Sequence, residues 1–401
     1  MARVVICPLR AEKNFLHLVI NSLIHPWARR LTPTWVGVLT PAEFNKRLKM
    51  NKKIPTVPSS RYQDNLIAAL IASAFCFVGC FTADAQDQAR DAFMQNQRLG
   101  KGGNLGNILY SFDTWDKKQE QEHLDLIKQI GLQGLRINVG PFDHAAGSPP
   151  YTLSKAFFER LDWTVNEALS RGFTIIIDNH EYHAMADDPM GKKEMFLSTW
   201  EQMALHYKDY PNNVYFGVLN EPNGNLSSYL WNYFLVDAVA VIRKSNPNRT
   251  LVIGPGRWNN IQELEFLKLP EDDRNIIVEI HYYSPHRFTH QGASWSKGSE
   301  AWLGTTWRSK PDEKKAVLDD FQFAVNWSNA HHRPLYLGEF GAYYKGDMES
   351  RAQWLRFVVE QADKNNMSWA IWELMQPTFG IYDDSNKNWI KPLKDAILPQ
   401  K

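Results

Sequence analysis

Six short polar clusters end apolar runs in this 401-residue chain. Arg136 lies in LRINV, His180, Glu181 and His183 follow IIID, and Asn220 and Glu221 close VLNEP. Further on, IHYY holds His281 and Tyr283, YLGEFG holds Glu339, and AIWEL holds Trp372 and Glu373. One such residue means little, because an isolated acid is usually solvated and an isolated histidine is usually a satisfied core group. Six clusters in the same relation to an apolar run point to chemistry. Two carboxylates, Glu221 and Glu339, held face to face could cleave a glycosidic bond: one protonates the leaving oxygen and the other attacks the anomeric carbon. In a retaining enzyme such a pair stands about 5–5.5 Å apart, and its surroundings must push the two acids in opposite directions. Arg136 is the cation that would keep Glu339 ionised, with the Tyr283 hydroxyl as a second donor; the charge on Glu339 would then keep Glu221 protonated. Asn220 can donate to the hydroxyl beside the anomeric centre. Pro222 predicts extended backbone for the Asn220-Glu221 pair before it.

The apolar runs are the elements that must position these groups. Eight strand-like stretches occur at 98–105, 135–139, 173–178, 214–220, 251–254, 276–283, 334–340 and 368–374. Amphipathic segments fall between them, such as 121–131, closed by Gly131, and 229–247, with a last helix near 391–398. Continuous apolar strands alternating with helices argue for a parallel sheet covered on both faces. Eight units in about 300 residues argue for a single (β/α)8 barrel, a fold of about 250 residues before insertions, whose active site lies at the carboxyl ends of the strands. A doubly wound open sheet is the competitor. GKGGNLGN at 100–107 lacks the G-x-G-x-x-G spacing of its dinucleotide loop. No Pro/Ser-rich linker divides the stretch from 87 to 401.

Lys plus Arg number 45 against 44 Asp plus Glu, so no overall field recruits nucleic acid or an anionic membrane. An uncharged partner is expected. Residues 50–85 read as a secretory signal: Lys52, Lys53 and Arg61, then the apolar run Leu66 to Phe81, then Ala83-Asp84-Ala85. That run is shorter than the roughly 20 residues of a membrane span. Cleavage after Ala85 would leave a secreted or periplasmic domain from residue 86 with none of the three cysteines, Cys7, Cys76 and Cys80; an uncleaved anchor or a lipidated Cys80 are the alternatives. Residues 1–49 are an unassigned extension. The mature domain is expected to be a monomer without membrane attachment.

Taken together, GxNLGN at 102–107, Arg136, His180, LNEP at 219–222, HYY at 281–283, GEFG at 338–341 and WE at 372–373 closely resemble glycoside hydrolase family 5, the cellulase A group. The resemblance covers essentially all of residues 98–398. It implies that Glu221 is the general acid/base, Glu339 the nucleophile, and Asn104, Arg136, His180, Asn220, His281, Tyr283 and Trp372 the shell around the sugar. The stretch HYYSPHRFTHQGASW resembles bacterial endoglucanases of a group that includes enzymes acting on both glucan and mannan, and implies sugar contacts for His290 and Trp295. It implies retaining endo-hydrolysis of a β-1,4-linked polysaccharide without cofactor or metal. Two positions depart from the family pattern. Ile108, Leu109 and Tyr110 follow NLGN where relatives often carry a glutamate, and Glu181 stands where many have a second histidine. Glu181 therefore joins the residues expected to read sugar hydroxyls.

Three other readings compete. His180-Glu181-Tyr182-His183 resembles the zinc motif H-E-x-x-H but is one residue short, placing its histidines at i and i+3. A sugar-binding barrel without catalysis would use Trp115, Trp258, Trp295, Trp302 and Trp307 equally well. A mannanase or mixed glucanase/mannanase would share the same carboxylates.

Overall fold

A computed structural model describes residues 92–106 and 116–399. The extension at 1–49, the signal at 50–85, the cysteines, Trp115 and residues 107–110 lie outside the described residues. Strands β1 (Lys101–Leu105), β2 (Gly134–Val139), β3 (Thr174–Asn179), β4 (Val214–Gly217), β5 (Leu251–Ile253), β6 (Ile276–Tyr282), β7 (Leu335–Phe340) and β8 (Ser368–Ile371) pair in chain order. All neighbours are parallel, and β8 closes on β1. This is the expected (β/α)8 barrel. Among the described residues no helix is long and apolar enough to cross a membrane.

Strand alternation sorts the apolar residues into two cores. Outward positions such as Ile175, Ile177, Leu335 and Leu337 pack with helix residues such as Phe157, Leu161 and Val165 in one large cluster. Inward positions form a separate small plug: Ile176, Tyr215, Val252, Ile277, Tyr336 and Ala370, closed from below by Leu99. The long helices start where capping side chains satisfy free N–H groups. Ser154 accepts from the Phe157 amide, Ser227 from that of Leu230, and Asp347 from that of Ser350.

Two expectations about these elements need correction. Arg98 and Leu99 end a helix over 92–99 and do not begin the first strand; Gly100, at φ +58°, makes the break. No full helix follows β5. Pro255 and Gly256 interrupt the chain, and a 3-10 turn, Ile261–Phe266, fills the place of a helix.

One irregularity decides the chemistry. Tyr336 faces inward, so strict alternation would turn Glu339, three residues on, outward toward the helices. The β6–β7 register instead shifts: Ile280 pairs with Leu337, but His281 pairs with Glu339, leaving Gly338 as an extra residue on β7. The bulge rotates Glu339 into the barrel. Only glycine fits there, because a Cβ at 338 would stand 1.9 Å from Glu279 Oε1. Gly338→Ala is therefore expected to destabilise the fold by about 1–3 kcal/mol, as overpacked cores do, and to lower activity out of proportion to the lost stability. Thermal melts beside rate measurements below the melting range check this.

Candidate active site

Two residues beyond the apolar plug, the inward positions change character. Ile176 is followed by Asp178 and Ile277 by Glu279, while β2 contributes Arg136 and β1 contributes Asn104; all four are essentially inaccessible. Arg136 is surrounded by acids. Its guanidinium lies 3.0 Å from Asp178, 2.9 Å from Glu279 and 2.8 Å from Glu339. It also donates to the side-chain oxygens of Asn104 at 3.0 Å and Asn220 at 2.7 Å. Burial works against its charge, but Asp178, Glu279 and Glu339 outweigh that and raise its pKa. Asp178 is held below its ordinary value despite burial, by Arg136 and His180.

Arg136 orients the groups above it. Because the Asn220 oxygen accepts from Arg136, its amide nitrogen is turned the other way, to 3.4 Å from His180 Nε2. His180 Nδ1 lies 2.8 Å from Asp178 Oδ2, and the ring stacks parallel to Trp372 at 5.7 Å. Both Glu339 oxygens are engaged: Oε1 by Arg136, and Oε2 by the Tyr283 hydroxyl at 3.0 Å. Burial and the charges of Glu339 and Glu221 push the Tyr283 phenol well above its ordinary value, so it remains a donor.

Glu221 follows the end of β4 and is partly exposed. His281 Nδ1 lies 2.8 Å from Glu221 Oε1 and 3.6 Å from Glu339 Oε2, so one imidazole bridges the two acids. Burial alone would lower the His281 pKa, but Glu339, Glu221 and Glu279 push it up to about 10. The expected extended backbone before Pro222 is not found: Glu221 has φ +44°. That region disfavours a side-chain-bearing residue. The strand's last hydrogen bond, from the Asn220 amide to Asn179 O, precedes it, and Trp258 N donates to Pro222 O after it.

The other expected site residues divide. Asn104 is wholly buried, and its amide nitrogen donates to Gly338 O and Ile371 O, so it ties β1 to the strands around it. Arg136 likewise acts from beneath the cleft. Glu181 is committed to structure as well, its carboxylate accepting from the Phe142 amide at 2.6 Å, and burial pushes it up to about 7. His290 lies between Tyr283, 5.0 Å away, and His286, 4.0 Å away; burial and His286 push it down to about 3. Trp295 and Trp258 are 59% and 53% exposed, open enough to stack on a ligand, whereas Trp307 is core at 1%. His183 packs on Tyr182 and does not converge with His180 on a metal geometry.

Among the described residues, Glu221, His281 and Glu339 each place a potential ligand atom within 4.8 Å of the other two. Arg136, Tyr283 and His281 already donate to those carboxylates, which suits proton chemistry. Sequence reasoning missed Asp178, Glu279 and Asn259. The first two had a signal: an acid two residues after an inward apolar position, at the end of IIID and inside IIVEI. Asn259 had none. It belongs to three successive left-handed residues, Arg257, Trp258 and Asn259, at φ +50°, +62° and +52°. Such a turn costs roughly 1–2 kcal/mol per residue and requires tertiary support.

Glu373 gives this site a pH signature. Burial, with a contribution from Glu339, pushes its carboxyl up to about 8, and its Oε2 lacks a hydrogen-bond partner. An acid with a raised folded pKa lowers stability as pH rises from its unfolded value, about 4.3, toward 8, because the unfolded chain gives up its proton first. Glu373→Gln should leave the melting temperature nearly unchanged at pH 4.5 and raise it at pH 9, by the equivalent of about 2–4 kcal/mol. An equal fall at both pH values would contradict this.

Residues 99–377 match a family model described as Cellulase (glycosyl hydrolase family 5). Endoglucanase H of Acetivibrio thermocellus is 33% identical over 299 residues, which cover 74% of this chain and 32% of that protein. The chain spans about a third of that relative, and 49% of Endoglucanase 3 of Fibrobacter succinogenes. Among solved structures, Thermotoga maritima Cel5A in complex with cellobiose is similar, with a TM-score of 0.73 and 43% identity, covering 76% of this chain and 99% of that one. The same enzyme in complex with mannotriose gives 0.73 and 42% over the same shares. A closed eight-strand barrel, two facing glutamates and these matches place the chain in glycoside hydrolase family 5, the cellulase family.

Proposed function

We propose that the chain is an endo-β-1,4-glucanase that hydrolyses internal bonds of β-linked glucan with retention, Glu221 serving as acid/base and Glu339 as nucleophile. The observation that carries this reading is that one oxygen of each glutamate lies within 4.8 Å of the other. That spacing matches the retaining pair and leaves no room for the water an inverting pair holds between them. In the first step a Glu339 oxygen bonds to the anomeric carbon as the glycosidic bond breaks, and the departing oxygen takes the proton of Glu221. In the second step Glu221 removes a proton from water, whose oxygen displaces Glu339 from the sugar. Arg136 and Tyr283 hold Glu339 in line, and the amide nitrogen of Asn220 reaches the neighbouring hydroxyl. Exposed Trp258 and Trp295 offer flat faces to sugar rings.

Mannan is a second substrate of this proposal, supported by the complex of the similar Thermotoga enzyme with mannotriose. The basic-apolar-small pattern of residues 50–85 supports action outside the cytoplasm, where an insoluble polymer is met. One barrel supplies the whole site, which supports a monomer.

Glu221→Gln and Glu339→Gln should each lower hydrolysis of carboxymethylcellulose by at least about 10²–10⁴-fold, with the folded state intact by circular dichroism. Wild-type viscosity should fall well ahead of reducing-end release. Unchanged rates in both variants would defeat the assignment, and product analysis on mixed-linkage glucan and mannan ranks the two polymers.

A further inference from the structure

Asn259 is fully buried, yet its side-chain oxygen has no hydrogen-bond partner. Its nitrogen lies 3.2 Å from His281 Nε2. It stands at the end of the left-handed turn, and the turn is tied to the acid on both sides. Trp258 N donates to Pro222 O, next to Glu221, while Asn260 pairs with His281 as an isolated parallel bridge. The amide lies flat over Gly254, where a Cβ would meet Asn259 Oδ1 at 2.2 Å. The groups facing His281 are Glu221 and Glu339 on its Nδ1 side and Glu279, at 3.4 Å, on its Nε2 side, with Arg136 behind Glu279 and Glu339.

An amide placed nitrogen-first can only donate to Nε2, and a ring that accepts there carries its proton on Nδ1, aimed at an ionised Glu221. When the Glu221–His281 pair holds one proton more, Nε2 bears hydrogen whichever partner holds the shared proton. It then needs an acceptor. Glu279 Oε1 lies 3.4 Å away and also faces Arg136. A half-turn of the amide supplies one, because its oxygen and nitrogen are close in size, and it gives the orphaned oxygen a donor.

We infer that Asn259 is a positioning residue for the acid/base: its amide accepts from His281 when the Glu221–His281 pair is loaded with its proton and donates once that proton has gone to the leaving group. The inference rests on Glu221 being the acid, as proposed above. The turn thereby places one residue on each side of the chain: Trp258 toward solvent and Asn259 toward His281.

The test compares wild type, Asn259→Asp, Asn259→Gly and Gly254→Ala on cellotetraose and on 2,4-dinitrophenyl β-cellobioside, whose leaving group needs no acid. Glycine tolerates the left-handed backbone, so Asn259→Gly removes the amide without added strain. Asparagine-sized aspartate only accepts, so the alkaline limb of kcat/KM on cellotetraose should move up by about one pH unit. Asn259→Gly loses the acceptor of one state and the donor of the other, so the limb should move less than in Asn259→Asp, with kcat/KM on cellotetraose falling on the order of ten-fold, part of what a general acid supplies, and kcat/KM on dinitrophenyl cellobioside nearly kept. Gly254→Ala, which displaces the amide, should behave like Asn259→Gly. Equal losses of kcat/KM on the two substrates, or an unmoved limb in Asn259→Asp, would overturn the inference. Glu221→Gln in the same assay keeps the two readings apart: if its kcat/KM, which reports the first step alone, falls equally on both substrates, Glu221 is not the acid, whatever Asn259 does.

Discussion

Arg136 stands inside the barrel with three carboxylates within 3.0 Å, and no water-exposed surface of its own. Taking such charges out of water costs several kcal/mol per ion, and only close geometry and further hydrogen bonds offset it. The barrel supplies both. Asp178, Glu279 and Glu339 arrive from three strands, and the amides of Asn104 and Asn220 complete the guanidinium's contacts. The groups proposed for catalysis rest on this layer. Glu339 is oriented by it directly, Asn220 through its oxygen, and His180 through Asp178. Removing Arg136 would leave buried acids unpaired, so it serves folding and chemistry together.

The layer also explains the glycines around it. Gly217 lies where a Cβ would stand 2.9 Å from Asp178 Oδ1, and Gly338 where one would stand 1.9 Å from Glu279 Oε1. Both spaces belong to acids that pair with Arg136. Gly338 then has a second effect, since the register shift it permits turns Glu339 inward beside His281. The GEFG motif is therefore a packing solution that turns Glu339 into the barrel. The site concentrates backbone strain at Glu221 and at the turn 257–259, where fixed tertiary contacts hold conformations that residues with side chains rarely adopt.

Much of this was legible from the chain alone. Strand runs such as IIVEIHYY and PLYLGEF bury both faces, so they read as parallel strands, and their polar ends identify the barrel's working face. The pairing of Arg136 and Tyr283 with Glu339 followed from charge and position, and the structure places both there. The Glu221 backbone did not follow, because a local rule for residues before proline was overridden by contacts from Asn179 and Trp258.

The sequence by itself determined the barrel, the two acids and their family, because hydrophobic periodicity and residue chemistry are local properties written in order along the chain. Only the tertiary structure decided which polar residues stand at the mouth of the barrel and which lie beneath it. Asn104 and Arg136 look alike in sequence to His180 and Trp372, but full burial commits them to strands and acids, and a loop amide engages the carboxylate of Glu181. It also decided that His281 faces Glu221, Glu279, Glu339 and Asn259 at once. Those partners come from four separate stretches of chain, and closure of the barrel brings them within reach of one ring.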